Sequence, residues 1–389
     1  MFGAGRVKEI GGIARTLGRR ALVVIGKSAG AVQRVEPLLS MLTGAGVEYA
    51  TFSVAGEPTI DVVRTGTHRA RDENCDFVIG FGGGSPIDAG KAIAALLTNE
   101  GDLLDYIEVI GKGQPFTKPS VPYVAIPTTA GTGSEVTRNA VLSVPEHRVK
   151  VSIRSPHMLP RVALIDPELT YDLPPQITAA TGLDALTQLI EPFVSVKANP
   201  MTDAFCREGM QRVARSLRRA HEHPDDVRAR EDMSVAAMLS GMALVSAALG
   251  AVHGFSGPLG GMFDAPHGAL CAAVLPYVVE VNERAVKERF GRTQAGTLPR
   301  RNGAASRPTR LVPPEVCETV AQRFEEVRRI VGNLGELVQE LKMPPLRQYG
   351  VTPGDFPSII EKAKAANSMK GNPVVLRDEE LREILERSL

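Results

Sequence analysis

The chain has 389 residues, 43% of them hydrophobic and 23% charged, with a formal net charge of +1. That balance provides neither the basic surplus of a nucleic-acid binder nor the acidic surplus of a solvating, disordered chain. No apolar run reaches the ~18 residues of a membrane span, and the opening M-F-G-A-G-R-V-K lacks the apolar core of a secretory signal. The four cysteines lie far apart with no C-x-x-C pair, which fits a reduced compartment, so a cytoplasmic protein without membrane or nucleic-acid partners is expected. The length exceeds what one hydrophobic core usually serves, so two domains are expected.

In chain order, the first half alternates short β-branched runs with amphipathic stretches, the pattern of a parallel sheet with crossover helices. Arg20 to Ile25 reads as a buried strand closed by Gly26-Lys27-Ser28, Val32 to Leu42 as a helix and Val47 to Val54 as a second strand. Ile60 to Asn74 reads as helical and Phe77 to Gly80 as a strand; the glycine turn Phe81 to Lys91 then leads into a helix over Ala92 to Thr98. Strand, glycine turn and helix start together suit a dinucleotide phosphate: glycine lets the backbone approach an anion, and the free N–H groups of the helix start point at it. Ser85 adds a hydroxyl donor and Pro86 suits a first helical turn. The pattern is neither G-x-G-x-x-G nor a P-loop, and a triple glycine by itself is only a tight loop.

A strand over Pro122 to Ile126 precedes the loop Pro127 to Thr137, rich in hydroxyls and glycines, which suits ribose and amide groups or is simply a run of turns. A strand over Val162 to Asp166 follows. From Pro174 the period becomes helical: Ala179 to Val194, Pro200 to His221, Asp225 to Leu249, Ala269 to Glu288, Glu315 to Leu341, Phe356 to Ala366 and Glu379 to Ser388. The domain boundary is expected near residue 167, giving domains 1–167 and 168–389. Arg289 to Pro314, rich in Arg, Gly and Pro, reads as a connector; it has no aromatic residues interleaved for nucleic acid. Asn367 to Pro373 reads as a turn of no evident chemistry.

The chemistry is expected between Val252 and Pro276, which carries His253 and His267, two of only seven histidines, in Gly-, Ala- and Pro-rich surroundings. Neutral imidazole is the commonest transition-metal ligand, although a histidine in apolar surroundings can equally be a satisfied core residue. Asp184 and Gln188 lie four apart in an apolar helical stretch, on one face. A carboxylate there is costly to bury unless it is paired, metal-bound or capping a helix start. Asp184, His253 and His267 would leave an open coordination position, the layout of a catalytic metal.

These residues resemble the iron-containing (group III) alcohol dehydrogenase family. The matching pieces are F-G-A-G-R-V at the start, G-G-G-S-P-I-D-A-G-K (82–91), P-T-T-A-G-T-G-S-E-V-T (127–137), D-P-E-L-T (166–170), G-L-D-A-L-T-Q-L-I-E (182–191), H-G-F-S-G-P-L-G-G-M-F-D-A-P-H-G (253–268) and S-M-K-G-N-P (368–373). The resemblance implies a doubly wound, Rossmann-like N-terminal domain and an all-helical C-terminal domain in the dehydroquinate synthase-like architecture, with the active site in the cleft between them. It implies pyrophosphate binding at Gly83, Gly84 and Ser85 with Asp88 nearby, and a nicotinamide ribose region lined by Thr128, Thr129, Thr132 and Lys150. Gly26 stands where members often place an Asp that favours NAD, which leans the expectation towards NADP, with Lys27 or Ser28 as partners. The family's iron or zinc is held by an Asp, a His four residues later and two further His. Asp184, His253 and His267 match, while Gln188 replaces the second ligand with a poorer one, a set similar to the glycerol dehydrogenases with one Asp and two His. Gly257 stands where relatives carry a proton-relaying His.

The resemblance implies a metal-assisted, NAD(P)-dependent alcohol dehydrogenase or aldehyde/ketone reductase acting on small alcohols or carbonyls, and a homodimer. The alternatives are a dehydroquinate-synthase or glycerol-phosphate type of enzyme on the same fold, or a nucleotide-binding member with a degenerate metal site.

Overall fold

Strands buried on both faces need helices above and below them, and the first half of the chain meets that demand. The computed structural model describes residues 1–107, 110–291 and 314–389. Helix α1 (Ile10–Leu17) leads into β1 (Arg20–Gly26), α2 (Ala29–Gly44), β2 (Glu48–Val54), α3 (Ile60–Asp72), β3 (Phe77–Gly82), α4 (Gly84–Leu96), the short α5 (Leu103–Tyr106) and β4 (Tyr123–Pro127). After β5 (Asn139–Val144) and β6 (Val149–Arg154) comes β7 (Val162–Ala163). The five-stranded sheet has the order β2-β1-β3-β4-β7, parallel throughout. Alternate residues face opposite sides: Leu22, Val24, Val78 and Ala125 join one core, and Val23, Ile25, Ile79 and Val124 the other. The strand order reverses at β1, so the crevice for a ligand opens at the carboxyl ends of β1 and β3.

Three expectations are corrected here, and one helix lies in a stretch for which no element was expected. The helix expected from Ala92 begins at Gly84, because Gly-Ser-Pro supplies its first turn and so brings the glycine motif onto the helix start. The strand expected over Val162 to Asp166 joins the sheet ladder only at Val162–Ala163, and Ile165 pairs instead with Phe2 in an isolated bridge. The run Glu315 to Leu341 is two helices, since Gly332 adopts φ +80° and stops the first. The glycine-rich stretch after Val252 is itself helical. The antiparallel β5–β6 hairpin went unpredicted. The connector beyond Arg289 lies almost wholly outside the described residues.

The hairpin and the hydroxyl-rich loop are tied to α4 by a buried polar knot. Lys91 Nζ donates to the Ser134 and Asn139 carbonyls, each at 2.7 Å, and to Thr137 Oγ1 at 3.0 Å. Asp88 accepts from the Ser134 hydroxyl and, at 2.8 Å, from the Val141 N–H. Burial lowers Lys91 to about 8 against the pull of Asp88 and Glu135, and pushes Glu135 up to about 7.

The second half is built from α6 (Pro175–Val194), α7 (Pro200–Glu222), α8 (Val227–Ala247), α9 (Ala251–Phe263), α10 (His267–Gly291), α11 (Pro314–Val331), α12 (Leu334–Glu340), α13 (Phe356–Ala365) and α14 (Asp378–Ser388). Every residue from Gly182 to Val194 in α6 is buried, and α7, α8 and α10 pack against it. Gly133, at φ +60°, meets Gly241 of α8 so closely that a Cβ on Gly241 would lie 2.3 Å from the Gly133 carbonyl oxygen. Two facing glycines thus let the loop after β4 seat on the helical half. Among the described residues no single helix is long and apolar enough to cross a membrane.

Since the folded protein holds Glu135 up at about 7, its burial costs nothing below the ordinary carboxylate range, and the penalty grows as pH rises from that range to about 7 and is constant above it. Glu135→Gln is therefore expected to raise the thermal midpoint more at pH 8 than at pH 5, by the equivalent of about 2–3 kcal/mol. An equal shift at both pH values would show that Glu135 is not held protonated.

Candidate metal and cofactor site

Asp184, Gln188 and Glu191 follow the i, i+4, i+7 pattern and share one face of α6. Each meets a different partner. Glu191 turns to the start of α9, where its Oε1 accepts from the Val252 N–H at 2.7 Å and its Oε2 lies 2.6 Å from His253 Nδ1. The helix start favours the negative charge, and the carboxylate fixes the proton of His253 on Nδ1, leaving Nε2 to face inward. Asn372 accepts from the Ala251 N–H at 3.1 Å and exchanges hydrogen bonds with Asn282. The turn over Asn367 to Pro373, read as without chemistry, thus holds the same helix start.

Helix α9 ends at Asp264, which takes a left-handed φ of +47°, and α10 begins at His267. This reversal brings the two imidazoles together, with ring centroids 5.3 Å apart. Asp184 Oδ1 lies 3.5 Å from His253 Nε2 and 3.6 Å from His267 Nε2. Cys271, one turn further along α10, completes a cluster whose ligand atoms all lie within 4.8 Å of one another.

Asp184 Oδ1 and His253 Nε2 are both buried without a hydrogen-bond partner. Such orphaned atoms are rare and costly, and their convergence fits a divalent cation. Burial works against the charge on Asp184, yet the His267 and His253 imidazoles hold it below the usual carboxylate range. Burial also depresses His253, but Glu191 and Asp184 raise it to about 10. His267 lies below its ordinary value through burial and the nearby His253 and Lys150, only partly offset by Asp184. The His267 side chain is 30% exposed against 3% for Asp184, so the cluster opens on the His267 side.

Gln188, one turn along α6 from Asp184, accepts at its Oε1 from the Ser240 hydroxyl at 2.9 Å. Gly257 adds no side chain, and a Cβ there would meet nothing within 4 Å.

The expected cofactor residues gather at the carboxyl edge of the sheet. Gly83 is the N-cap of α4, and a Cβ there would lie 3.4 Å from Thr129 Cγ2; one on Gly84 would lie 3.0 Å from Thr132 Cγ2. The loops carrying Gly83, Gly84 and Ser85 and carrying Thr128, Thr129 and Thr132 therefore abut. Gly26 ends β1 on the same edge, where a Cβ would touch only Ala31, at 3.4 Å. Ser28 caps α2 through its hydroxyl, while Lys27 is exposed. The Asp88 carboxylate is engaged inside the knot with Ser134 and Val141. Lys150, on β6, pairs with Glu57 at 2.9 Å, and its Nζ lies 2.9 Å from a Cβ built on Gly260 of α9. Sequence reasoning missed Glu191 and Cys271, although Glu191 completes the α6 face and Cys271 stands at i+4 from His267.

The chain matches the family model "Iron-containing alcohol dehydrogenase" over residues 1–167 and "Fe-containing alcohol dehydrogenase family, C-terminal" over 178–389. It is 36% identical to 1,3-propanediol dehydrogenase of Klebsiella pneumoniae, covering 100% of this chain and 96% of that protein. It is 37% identical to NAD-dependent methanol dehydrogenase of Bacillus methanolicus over 75% of this chain and 76% of that one. The solved structure of an alcohol dehydrogenase from Oenococcus oeni superposes with a TM-score of 0.83 at 31% identity, covering 100% of this chain and 97% of that one.

If Glu191 positions His253, Glu191→Gln should weaken binding of a divalent cation about 10–100-fold while leaving the circular dichroism spectrum unchanged. Titration with zinc checks this; unchanged affinity would assign Glu191 to the helix start alone.

Proposed function

The chain belongs to the iron-containing alcohol dehydrogenase family and is an NAD(P)-dependent alcohol dehydrogenase; we propose that Asp184, His253 and His267 hold its divalent cation, iron(II) or zinc(II), and that it interconverts a small alcohol with its carbonyl compound. The observation that carries this reading is the convergence of two orphaned buried atoms, Asp184 Oδ1 and His253 Nε2, with His267 at the open edge of the cluster. The cation, when bound, supplies Lewis acidity towards the substrate oxygen, and the nicotinamide supplies the hydride carrier.

The chain's own residues do the rest. Glu191 keeps the His253 lone pair aimed at the cation. His267, the most exposed of the three, borders the side from which substrate arrives. Gly83, Gly84 and Ser85 offer backbone and hydroxyl donors to the cofactor phosphates, while Thr128, Thr129, Thr132 and Lys150 flank the nicotinamide ribose. With glycine at 257, no imidazole relays the proton there, so water or the ribose hydroxyls carry it, and the space left admits a bulkier or more polar substrate.

We read the cofactor as NADP, because no carboxylate stands at Gly26 to repel a 2′-phosphate. Lys27 is its partner rather than Ser28, whose hydroxyl caps α2. Asp88 acts on the cofactor at one remove, by holding the loop that carries Thr132. We further read the chain as a cytoplasmic homodimer whose two domains meet near residue 167. The boundary reading is supported by the span of the first family match, and the compartment by three buried free cysteines among the described residues.

Asp184→Ala should abolish stoichiometric metal binding and lower turnover at least about 100-fold, since the cation contributes several kcal/mol to the transition state. Metal analysis and NAD(P)H oxidation with a panel of aldehydes test this, and unchanged turnover would end the metal mechanism. Gly26→Asp should shift the NADP/NAD ratio of kcat/KM towards NAD by about tenfold or more, from like-charge repulsion. No shift would overturn the cofactor reading.

A further inference from the structure

We propose that Cys271 is the fourth protein ligand of the metal site, in the place that Gln188 leaves vacant, and that its thiolate makes this chain select zinc over iron. The proposal rests on the reading that Asp184, His253 and His267 hold a divalent cation.

With metal–ligand bonds of about 2.0–2.3 Å, neighbouring donors around a tetrahedral zinc sit about 3.3–3.8 Å apart. The structure places Asp184 Oδ1 at 3.5 Å from His253 Nε2 and 3.6 Å from His267 Nε2, and Cys271 Sγ at 3.7 Å from His267 Nε2. These three edges fall in that range, and all four donor atoms lie within 4.8 Å of one another. The position follows from the helix: Cys271 is four residues after His267 on α10, so both side chains share a face. Two buried donors aimed into the same space, Asp184 Oδ1 and His253 Nε2, have no other partner. Gln188 has its amide oxygen accepting the Ser240 hydroxyl, and an amide oxygen is a poorer ligand than a thiolate for zinc. Ser256, whose hydroxyl has no hydrogen-bond partner of its own, lies beside the Cys271 sulfur and can donate to a thiolate.

The chemistry follows from the donor set. A thiolate is a soft ligand that suits zinc and cobalt better than iron(II) or manganese(II). Cation binding displaces the thiol proton. The four side chains would hold the cation from the buried side, leaving the more exposed His267 side for substrate.

The test is loading of the metal-free, full-length protein with one equivalent of cobalt(II), read by absorption. The expected result is a near-ultraviolet thiolate-to-cobalt charge-transfer band together with visible ligand-field bands. Cys271→Ser should lose the charge-transfer band, keep the visible bands and bind zinc about 10–100-fold more weakly, with manganese(II) affinity nearly unchanged. Gln188→Ala should keep the charge-transfer band. Visible bands without charge transfer in the unmodified protein, or a band that survives Cys271→Ser, would overturn the role of Cys271 and leave the Asp184–His253–His267 reading standing. No cobalt binding at all would overturn both. Should Cys271→Ser fail to fold, X-ray absorption at the zinc edge of the unmodified protein decides the matter: a sulfur scatterer at about 2.3 Å supports the proposal, and a shell of only nitrogen and oxygen refutes it.

Discussion

Asp184 is 2% exposed in the middle of a helix buried on every side. An uncompensated charge there would cost several kcal/mol. Its Oδ2 is not among the orphaned atoms but its Oδ1 is, so the protein leaves one carboxylate oxygen bare where two imidazoles converge. Much of the helical half follows from the need to supply a counter-charge at that point. The α9–α10 reversal at Asp264 delivers both histidines, Glu191 anchors the first of them, and Asn372 and Asn282 pin the helix start that carries it.

The two halves of the molecule are coupled through small residues and a few polar contacts. Gly133 and Gly241 allow backbone contact between the loop after β4 and α8, and Ser240 donates to Gln188 one turn along from Asp184. Gln188 thus meets, through Ser240, the helix on which the loop after β4 seats. On the sheet side, the Lys91–Asp88 knot fixes that same loop to α4. The start of α4 and the hydroxyl-rich loop are therefore held by one network, in which the Asp88 carboxylate faces Ser134 and Val141.

What the sequence made legible was whatever has a local signature. Alternating strands and helices announced the parallel sheet, since β1, β3 and β4 are continuous apolar runs, and the glycine motif announced its own place at the end of β3. Asp184, His253 and His267 stood out because polar ligating residues are conspicuous in apolar surroundings. The β5–β6 hairpin did not, because its strands, although they alternate, are only six residues long each and lie between loops. Helix α9 was hidden by its own composition, four glycines and a proline at 258 reading as loop; tertiary packing on α10 and α13 overrides that local preference. Glu191 was legible only as another member of an apolar helix face, since its role depends on where α9 begins. Cys271 was visible as i+4 from His267, but nothing local shows that α10 starts at His267 itself and points both side chains inward.

The central claim is that these donors surround a cation, and the most direct measurement is anomalous diffraction from crystals of the metal-loaded protein, collected on either side of the metal edge. The account predicts a single strong peak lying between Asp184 Oδ1, His253 Nε2 and His267 Nε2. A peak elsewhere, or none at full occupancy of the added metal, would contradict it.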